Sequence, residues 1–544
     1  MQRLSGLDAG FLYMETPTSF MHVASLMVLD PSTAPHGFSF QSLRQLYEER
    51  LHLAPPFRRR LVEVPLGLHH PIWIEDPDFD LDWHLRHIAV PAPGGMRELA
   101  ELAGHLAAIP LDRSHPLWEV WLIEGLEGGH VALLNKVHHA AIDGASGEEL
   151  MVAILDLTPE VERKPPPEKP WQPERVPSDT ELVVHALASI AQQPVRAVKT
   201  ARRTLEAALR IRDINRRQPN QKPPPSPFSA PRTSFNATLT PHRAFATASL
   251  SLPDVKMIKN ARGTTVNDVV LTICAGALRH YLDARDEHPD GPLVAMVPVS
   301  VRTEDQKGTQ GNRVSSMLCT LATDLDDPLE RLDAIHRCMA VAKEQQNAIG
   351  ADTLQNWVEF AAPAVAAQAA RLYSRMKIAD HHRPLFNVTI SNVPGPPFPL
   401  YVAGARMLAT YPMGPIFDGG GINITVMSYL DSLDFGVLVC PELIPDPWII
   451  ANGLHDALEE LKKAVDHDRV AVHAGTGSRT GKRSGPSRGA RSSTAAGARK
   501  RSGTRAGTPA RTSRATSTAT SGREEAADRE QATTTDEATK RTAR

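Results

Sequence analysis

A run of branched aliphatics, Val131-Ala132-Leu133-Leu134-Asn135-Lys136-Val137, ends in His138-His139-Ala140-Ala141-Ile142-Asp143-Gly144. The run has the composition of a buried strand. Gly144, Ser146 and Gly147 then break it, and Glu148 to Leu155 has the pattern of a helix. The paired histidines therefore stand where a strand gives way to a turn and a helix. Neighbouring side chains of an extended segment point to opposite sides, so one imidazole can face a solvent channel while the other packs inward. An imidazole with a carboxylate four residues on has the parts of a general base beside a structural anchor. A hydrogen-bonded turn, or one half of a metal site, is the plainer alternative.

The chain around this motif falls into blocks. Residues 1–160 alternate strand and helix patterns: a strand over Phe20–Leu29, helices over Gln41–Leu53 and Arg97–Ala107, and a strand over Leu117–Ile123. Residues 161–235 form a proline-rich linker in which Lys164 to Pro173 fits neither helix nor interior strand. It also holds a helical stretch from Glu181 to Arg217, interrupted at Pro194. In residues 236–470 the α/β pattern resumes. Helices are expected over Val266–Leu282, opened by Asn267-Asp268, and over Pro328–Ile349 and Pro447–Val465. Strands are expected over Leu293–Val299 and Asn387–Ile390, and a hairpin joins Ile422–Tyr429 to Leu433–Val439. Residues 471–544 lack aromatics and nearly all large aliphatics, a composition that does not bury enough surface to fold.

Charge follows the same division. From Gly475 onward sixteen Lys/Arg face six Asp/Glu, so the overall charge of -2 combines an acidic globular part with a basic tail. Without aromatics for stacking, that tail is not a sequence-specific nucleic-acid module. Cys274, Cys319, Cys338 and Cys440 have no paired spacing, which points to reduced thiols and to no metal template. No signal-like start and no run of about 18 apolar residues occurs, so a cytoplasmic chain without a transmembrane helix is expected.

Several further stretches, in order, resemble one family. They are Leu7-Asp8-Ala9-Gly10-Phe11-Leu12-Tyr13-Met14-Glu15-Thr16-Pro17 with Met21-His22-Val23, then His115-Pro116-Leu117-Trp118-Glu119, then His138 to Gly144. Asn267-Asp268-Val269-Val270, Pro298 to Arg302, Gly311-Asn312-Arg313 and Ser391-Asn392-Val393-Pro394-Gly395-Pro396 follow. Together they resemble the bacterial wax ester synthase/diacylglycerol acyltransferase family, within the CoA-dependent acyltransferase superfamily typified by chloramphenicol acetyltransferase. The resemblance implies a two-domain α/β fold with mixed sheets and an active-site channel between the domains, followed by a disordered tail. It also implies transfer of a long-chain acyl group from acyl-CoA to diacylglycerol, with long-chain alcohols as further acceptors. Acyl-CoA enters as a co-substrate, and no permanently bound cofactor or metal is implied.

Roles follow from the resemblance. His139 is the candidate base, and direct attack by the alcohol needs no acyl-enzyme. No Gly-x-Ser-x-Gly elbow stands beside the motif to supply a serine nucleophile. His138 is expected as its packed, supporting neighbour. Asp143 is expected to be a structural anchor paired with Arg302, and Gly144 to allow close backbone approach. Asn267 is either the N-cap of its helix or an oxyanion donor with nearby backbone N–H groups. Pro116, Leu117 and Trp118 are expected as core behind the site, Asp268 as part of the Asn-Asp element, and Ser391 and Asn392 as the start of a rigid turn.

Pro194 to Arg217 carries apolar residues at helical spacing with basic residues on other faces. That pattern fits a helix lying peripherally on an anionic membrane or lipid droplet, or a solvated bridge between domains. A non-catalytic lipid-surface protein is the contrasting function, although such a binder needs no base beside a fixed carboxylate. A condensation-type acyltransferase is a further alternative; it would need a carrier partner, and this chain has no carrier domain.

Overall fold

The structure is a computed structural model that describes residues 2–141, 153–166, 171–190, 224–300, 314–349 and 363–477, with Arg202, Glu206, Leu209 and Arg210 as isolated positions. Asp143, Gly144, Arg302, Gly311–Arg313, most of Pro194–Arg217 and the basic tail lie outside these residues.

The first half supplies β1 (Gln2–Arg3), α1 (Gly6–Met14), β2 (His22–Asp30), α2 (Phe40–Arg50), β3 (Arg59–Val62) and β4 (Ile72–Glu75). It continues with α3 (Leu81–His84), β5 (Leu85–Ala89), α4 (Met96–Ala107), β6 (Trp118–Glu124) and β7 (Val131–His138). After α5 (Asp179–Ile190) come β8 (Ala244–Ser251), α6 (Leu252–Arg262), α7 (Val266–Asp283), β9 (Val294–Ser300), β10 (Val314–Thr320) and α8 (Pro328–Ile349). The last stretch holds α9 (Pro363–Arg375), β11 (Val388–Val393), β12 (Tyr401–Val402), β13 (Ala405–Met413), β14 (Ile422–Tyr429), β15 (Ser432–Val439) and α10 (Trp448–Gly477).

Two six-stranded sheets carry the fold, in the orders β12-β13-β2-β7-β6-β5 and β10-β9-β11-β14-β15-β8, beside a small sheet β1-β4-β3. Both large sheets are mixed. β5 runs parallel to β6 in the first, and β11 runs parallel to β9 and β14 in the second. The expected hairpin forms with Tyr429 opposite Ser432, so Ser432 belongs to the strand and the loop is Leu430-Asp431.

β13 lies late in the chain yet pairs antiparallel with β2 from Arg406↔Asp30 to Met413↔Ala24. The stretch 236–470 is thus not confined to one lobe; it returns to complete the first sheet. The crossover is pinned by Asp434 of β15, whose buried carboxylate accepts from Thr410 N of β13 at 3.0 Å and from Ser249 Oγ of β8 at 2.7 Å. Burial raises the pKa of that carboxyl.

The second lobe's core lies around α7, where Val269 to Leu278 are almost wholly buried with residues of β9, β11, β14, β15 and α10. In the first lobe, apolar residues gather on both faces of the sheet. One face is covered by α4, which also meets β8 of the second sheet; Leu99, Ala103 and Leu106 share a cluster with Phe245 and Leu438. Gly104 allows this approach, because a Cβ there would sit 2.9 Å from the Arg243 carbonyl oxygen. The helix is a wedge between the two sheets, and β7 ends beside it.

Candidate active site

β7 delivers the two histidines in register with β2, His22 facing His138 across the ladder. The backbone holds the end of the strand from both sides: His138 N–H donates to Leu117 O at 3.0 Å and His139 N–H to Met21 O at 2.9 Å. The two rings part company there. His138 is buried, and His139 is partly buried.

The His138 ring is held at Nδ1 and faces a carboxylate at Nε2. Ala140 N–H donates to Nδ1 at 3.0 Å, so the ring proton belongs on Nε2. Nε2 lies 3.3 Å from Glu15 Oε1, an approach off the line of a good hydrogen bond. Glu15 also accepts from Met21 N–H at 3.2 Å and from Arg113 Nη2 at 2.7 Å and Nε at 3.2 Å. Burial pushes this carboxyl upward, but its contacts with His138 and Arg113 outweigh that and hold it at about 2. Glu15 therefore braces both peptide units flanking His139, through the His138 ring and through Met21.

His139 stacks on Phe11 of α1, with ring centroids 4.2 Å apart and planes 11° from parallel. Burial, then the nearby His138, pushes its pKa down to about 4. The imidazole is neutral near pH 7, the form that takes a proton.

Beneath the motif, Lys136 is fully buried. Its Nζ donates to Leu106 O at 3.3 Å and Ile109 O at 2.9 Å, at the carbonyl end of α4. It also pairs at 3.2 Å with Glu119, its cross-strand neighbour on β6. Burial lowers the Lys136 pKa. His22 Nε2 bonds Ala107 O at 2.9 Å, and burial followed by the charge of Lys136 brings its pKa to about 3.

The remaining expected residues divide. Pro116, Leu117 and Trp118 are buried. Leu117 packs with Leu12 and Ala140, directly behind the motif. The Trp118 indole donates to Phe57 O at 2.9 Å and stacks on His84 at 4.3 Å, in the lobe's core. Asn267 does not cap α7. Thr265 is the N-cap, its Oγ1 accepting from Asp268 N–H while the Asp268 carboxylate accepts from Thr265 N–H, and Asn267 lies inside the first turn. Asp268 is occupied further by His336 at 2.7 Å. Ser391 and Asn392 belong to β11, opposite Thr425 and Val426 of β14, and not to a turn; the parallel ladder carries the strand through Val393 before the prolines end it. Asp143, Gly144 and Arg302 fall outside the described residues.

Glu15, Phe11 and Arg113 were not singled out as site residues. Ser5-x-x-Asp8 is the readable signal for the helix that carries Phe11: Ser5 caps α1, its Oγ accepting from Asp8 N–H. No group of His, Cys, Asp and Glu suited to a metal occurs among the described residues.

A family model described as the wax ester synthase/diacylglycerol acyltransferase catalytic domain matches residues 4–270, and one described as the C-terminal domain of that family matches residues 310–462. A Mycobacterium tuberculosis H37Rv protein, named as a candidate diacylglycerol O-acyltransferase, is 39% identical over 467 residues, 86% of this chain and 91% of the relative. Another from the same strain and under the same description is 39% identical over 473 residues, covering 85% of this chain and 100% of the relative. Among solved structures, the wax ester synthase/diacylglycerol acyltransferase of Marinobacter aquaeolei VT8 superposes with a TM-score of 0.60 at 30% identity, over 86% of this chain and 100% of that one. The first condensation domain of the CDA synthetase shares the fold, with a TM-score of 0.51 at 14% identity over 85% of this chain and 96% of that one. The chain is an acyltransferase and belongs to the wax ester synthase/diacylglycerol acyltransferase family.

Proposed function

We propose that the protein moves a long-chain acyl group from acyl-CoA to the hydroxyl of diacylglycerol, and also to long-chain alcohols, with His139 as the general base. The observation that carries this is a neutral imidazole held at the end of β7 by Met21 and stacked on Phe11. In the proposed step His139 takes the proton of the acceptor hydroxyl as its oxygen attacks the thioester carbonyl. The tetrahedral intermediate collapses with loss of the CoA thiolate, which receives that proton from the imidazolium. Bond to oxygen formed, bond to sulfur broken and proton moved all balance without an acyl-enzyme.

Asn267, near the start of α7, is proposed as a donor to the intermediate's oxyanion together with N–H groups of that first turn. Asp143 and Arg302 are proposed as an anchor pair, which a charge exchange, Asp143→Arg with Arg302→Asp, would test by partial rescue of the single variants. No helix among the described residues is long and apolar enough to cross a membrane, and we propose peripheral attachment to a membrane or lipid droplet. The decisive experiment gives purified protein long-chain acyl-CoA with dioleoylglycerol, monoacylglycerol or hexadecanol. CoA release with formation of triacylglycerol supports the reading. A chain that binds lipid but releases no CoA with any acceptor defeats it.

A further inference from the structure

The surface around α9 combines three features that a water-soluble face does not need. One side of the helix packs on α1, with Ala366 and Ala367 against the cluster of Ala9 and Leu12, and with Ser374 Oγ 3.1 Å from Thr18 Oγ1. On the other side Val365, Leu372 and, just past the helix, Met376 are each more than half exposed. Their spacing places them on one stripe.

The second feature is Leu66. It lies in the turn Pro65–Gly67, where a Cβ on Gly67 would sit 3.1 Å from that of Ala364 in α9. Leu66 holds a left-handed backbone, φ 58° and ψ 11°, and its side chain is 87% exposed. A branched apolar residue in that conformation is strained, and the Leu66 side chain is not buried among the described residues.

The third feature is charge. Arg371, Arg375 and Lys377 are exposed beside the stripe, and no Asp or Glu occurs from Pro363 to Ala379. Cations suit the carbonyl end of a helix, but that does not account for the apolar stripe they border.

We propose that Leu66, Val365, Leu372 and Met376, with Arg371, Arg375 and Lys377, dock the enzyme on an anionic phospholipid surface. Apolar residues entering the interface flanked by cations are the chemistry of peripheral lipid attachment. The assignment rests on the acyl-transfer reading, because the acceptor is then itself a membrane lipid. It also fits the layering of the fold: α1 beneath α9 carries Phe11, which stacks on His139. A docked face would therefore stand one helix layer from the candidate base.

The test is flotation of the full chain with phosphatidylcholine vesicles, with and without phosphatidylglycerol. Leu372→Ser with Met376→Ser should lower the bound fraction about tenfold on both vesicle types, as the loss of two inserted side chains requires. Arg371→Glu with Arg375→Glu should weaken binding to the anionic vesicles alone. Leu66→Asn, which suits a left-handed backbone, should keep or raise the Tm while weakening binding. All three should release CoA at the wild-type rate with detergent-dispersed hexadecanol. Vesicle binding unchanged in all three variants would overturn the proposal, as would a wild-type dimer that these substitutions dissolve without altering vesicle binding. Wild-type protein that releases no CoA with any acceptor, yet loses vesicle binding on these substitutions, would defeat the acyl-transfer reading and leave the docking surface standing.

Discussion

Glu15 Oε1 lies 3.3 Å from His138 Nε2, so a carboxylate at the end of α1 meets the first histidine of the pair. Glu15 bears on His139 through backbone: the ring of His138 receives Ala140 N–H on one side, and Met21, tied to Glu15, receives His139 N–H on the other. The arrangement separates orienting the motif from doing chemistry with it.

Replacing His139 by Ala should lower CoA release by a factor of about 10² to 10⁴, the usual contribution of a positioned general base. The stability cost should be small, about 1 kcal/mol for the lost stacking on Phe11. Initial rates and thermal melts on one preparation check both, and an active His139→Ala protein would end the general-base assignment.

Glu15→Gln keeps the shape but removes the charge shared by His138 and Arg113. A carboxyl lowered from 4.5 to about 2 stabilises the fold above pH 4.5, and that contribution fades as the pH falls through 2. Its full size is on the order of 3 kcal/mol. We expect the variant to melt lower at pH 7 and to lose kcat more than KM rises. Equal melting of the two proteins at pH 7 would show that the brace is not electrostatic.

His139 and His84 are lowered to about 4 and His22 to about 3, each chiefly by burial. The unfolded chain binds protons at these sites from pH 6.5 downward, while the folded chain resists until about pH 4. Stability should therefore fall steadily as the pH drops from 6.5 to 4. The acid limb of kcat/KM should lie near pH 4 to 5 while the protein remains folded. A limb at 6.5, with an unaltered melting temperature there, would contradict the burial of these rings.

Gly395→Ala should disrupt the loop after β11, because a Cβ would sit 2.0 Å from the Ser428 carbonyl oxygen. Neither atom is on a flexible side chain, so the backbone must shift, at about 3 kcal/mol. Chemical denaturation measures the loss; a variant as stable as wild type would mean that the loop and β14 are less tightly apposed.

Elements with long apolar periodicity were legible in the chain itself. The α8 bounds Pro328–Ile349 and the β14 bounds Ile422–Tyr429 agree with the sequence pattern residue for residue, and α7 differs by its last residue. β8, built of small and hydroxyl residues, and β10, with Ser315-Ser316 at its start, carry too little side-chain signal to stand out. β13 was illegible for another reason. Its partner is β2, and no local pattern reports a pairing between the two ends of a chain. The histidine pair, the family and the buried Leu117-Trp118 element could be read in advance. Glu15 could not, since its meeting with His138 exists only once α1 packs under the end of β7. Asn267 was misplaced by the choice between two capping residues two positions apart: Thr265 with Asp268 satisfies the capping-box spacing and Asn267 does not.

The late return of β13 has a bearing on biogenesis. While the ribosome is still making the second lobe, β2 presents an unpaired edge, and it stays open until residues 405–413 emerge. Unpaired strand edges are prone to wrong pairing, and a truncation before Met413 would remove a wall of the lobe that bears the histidines.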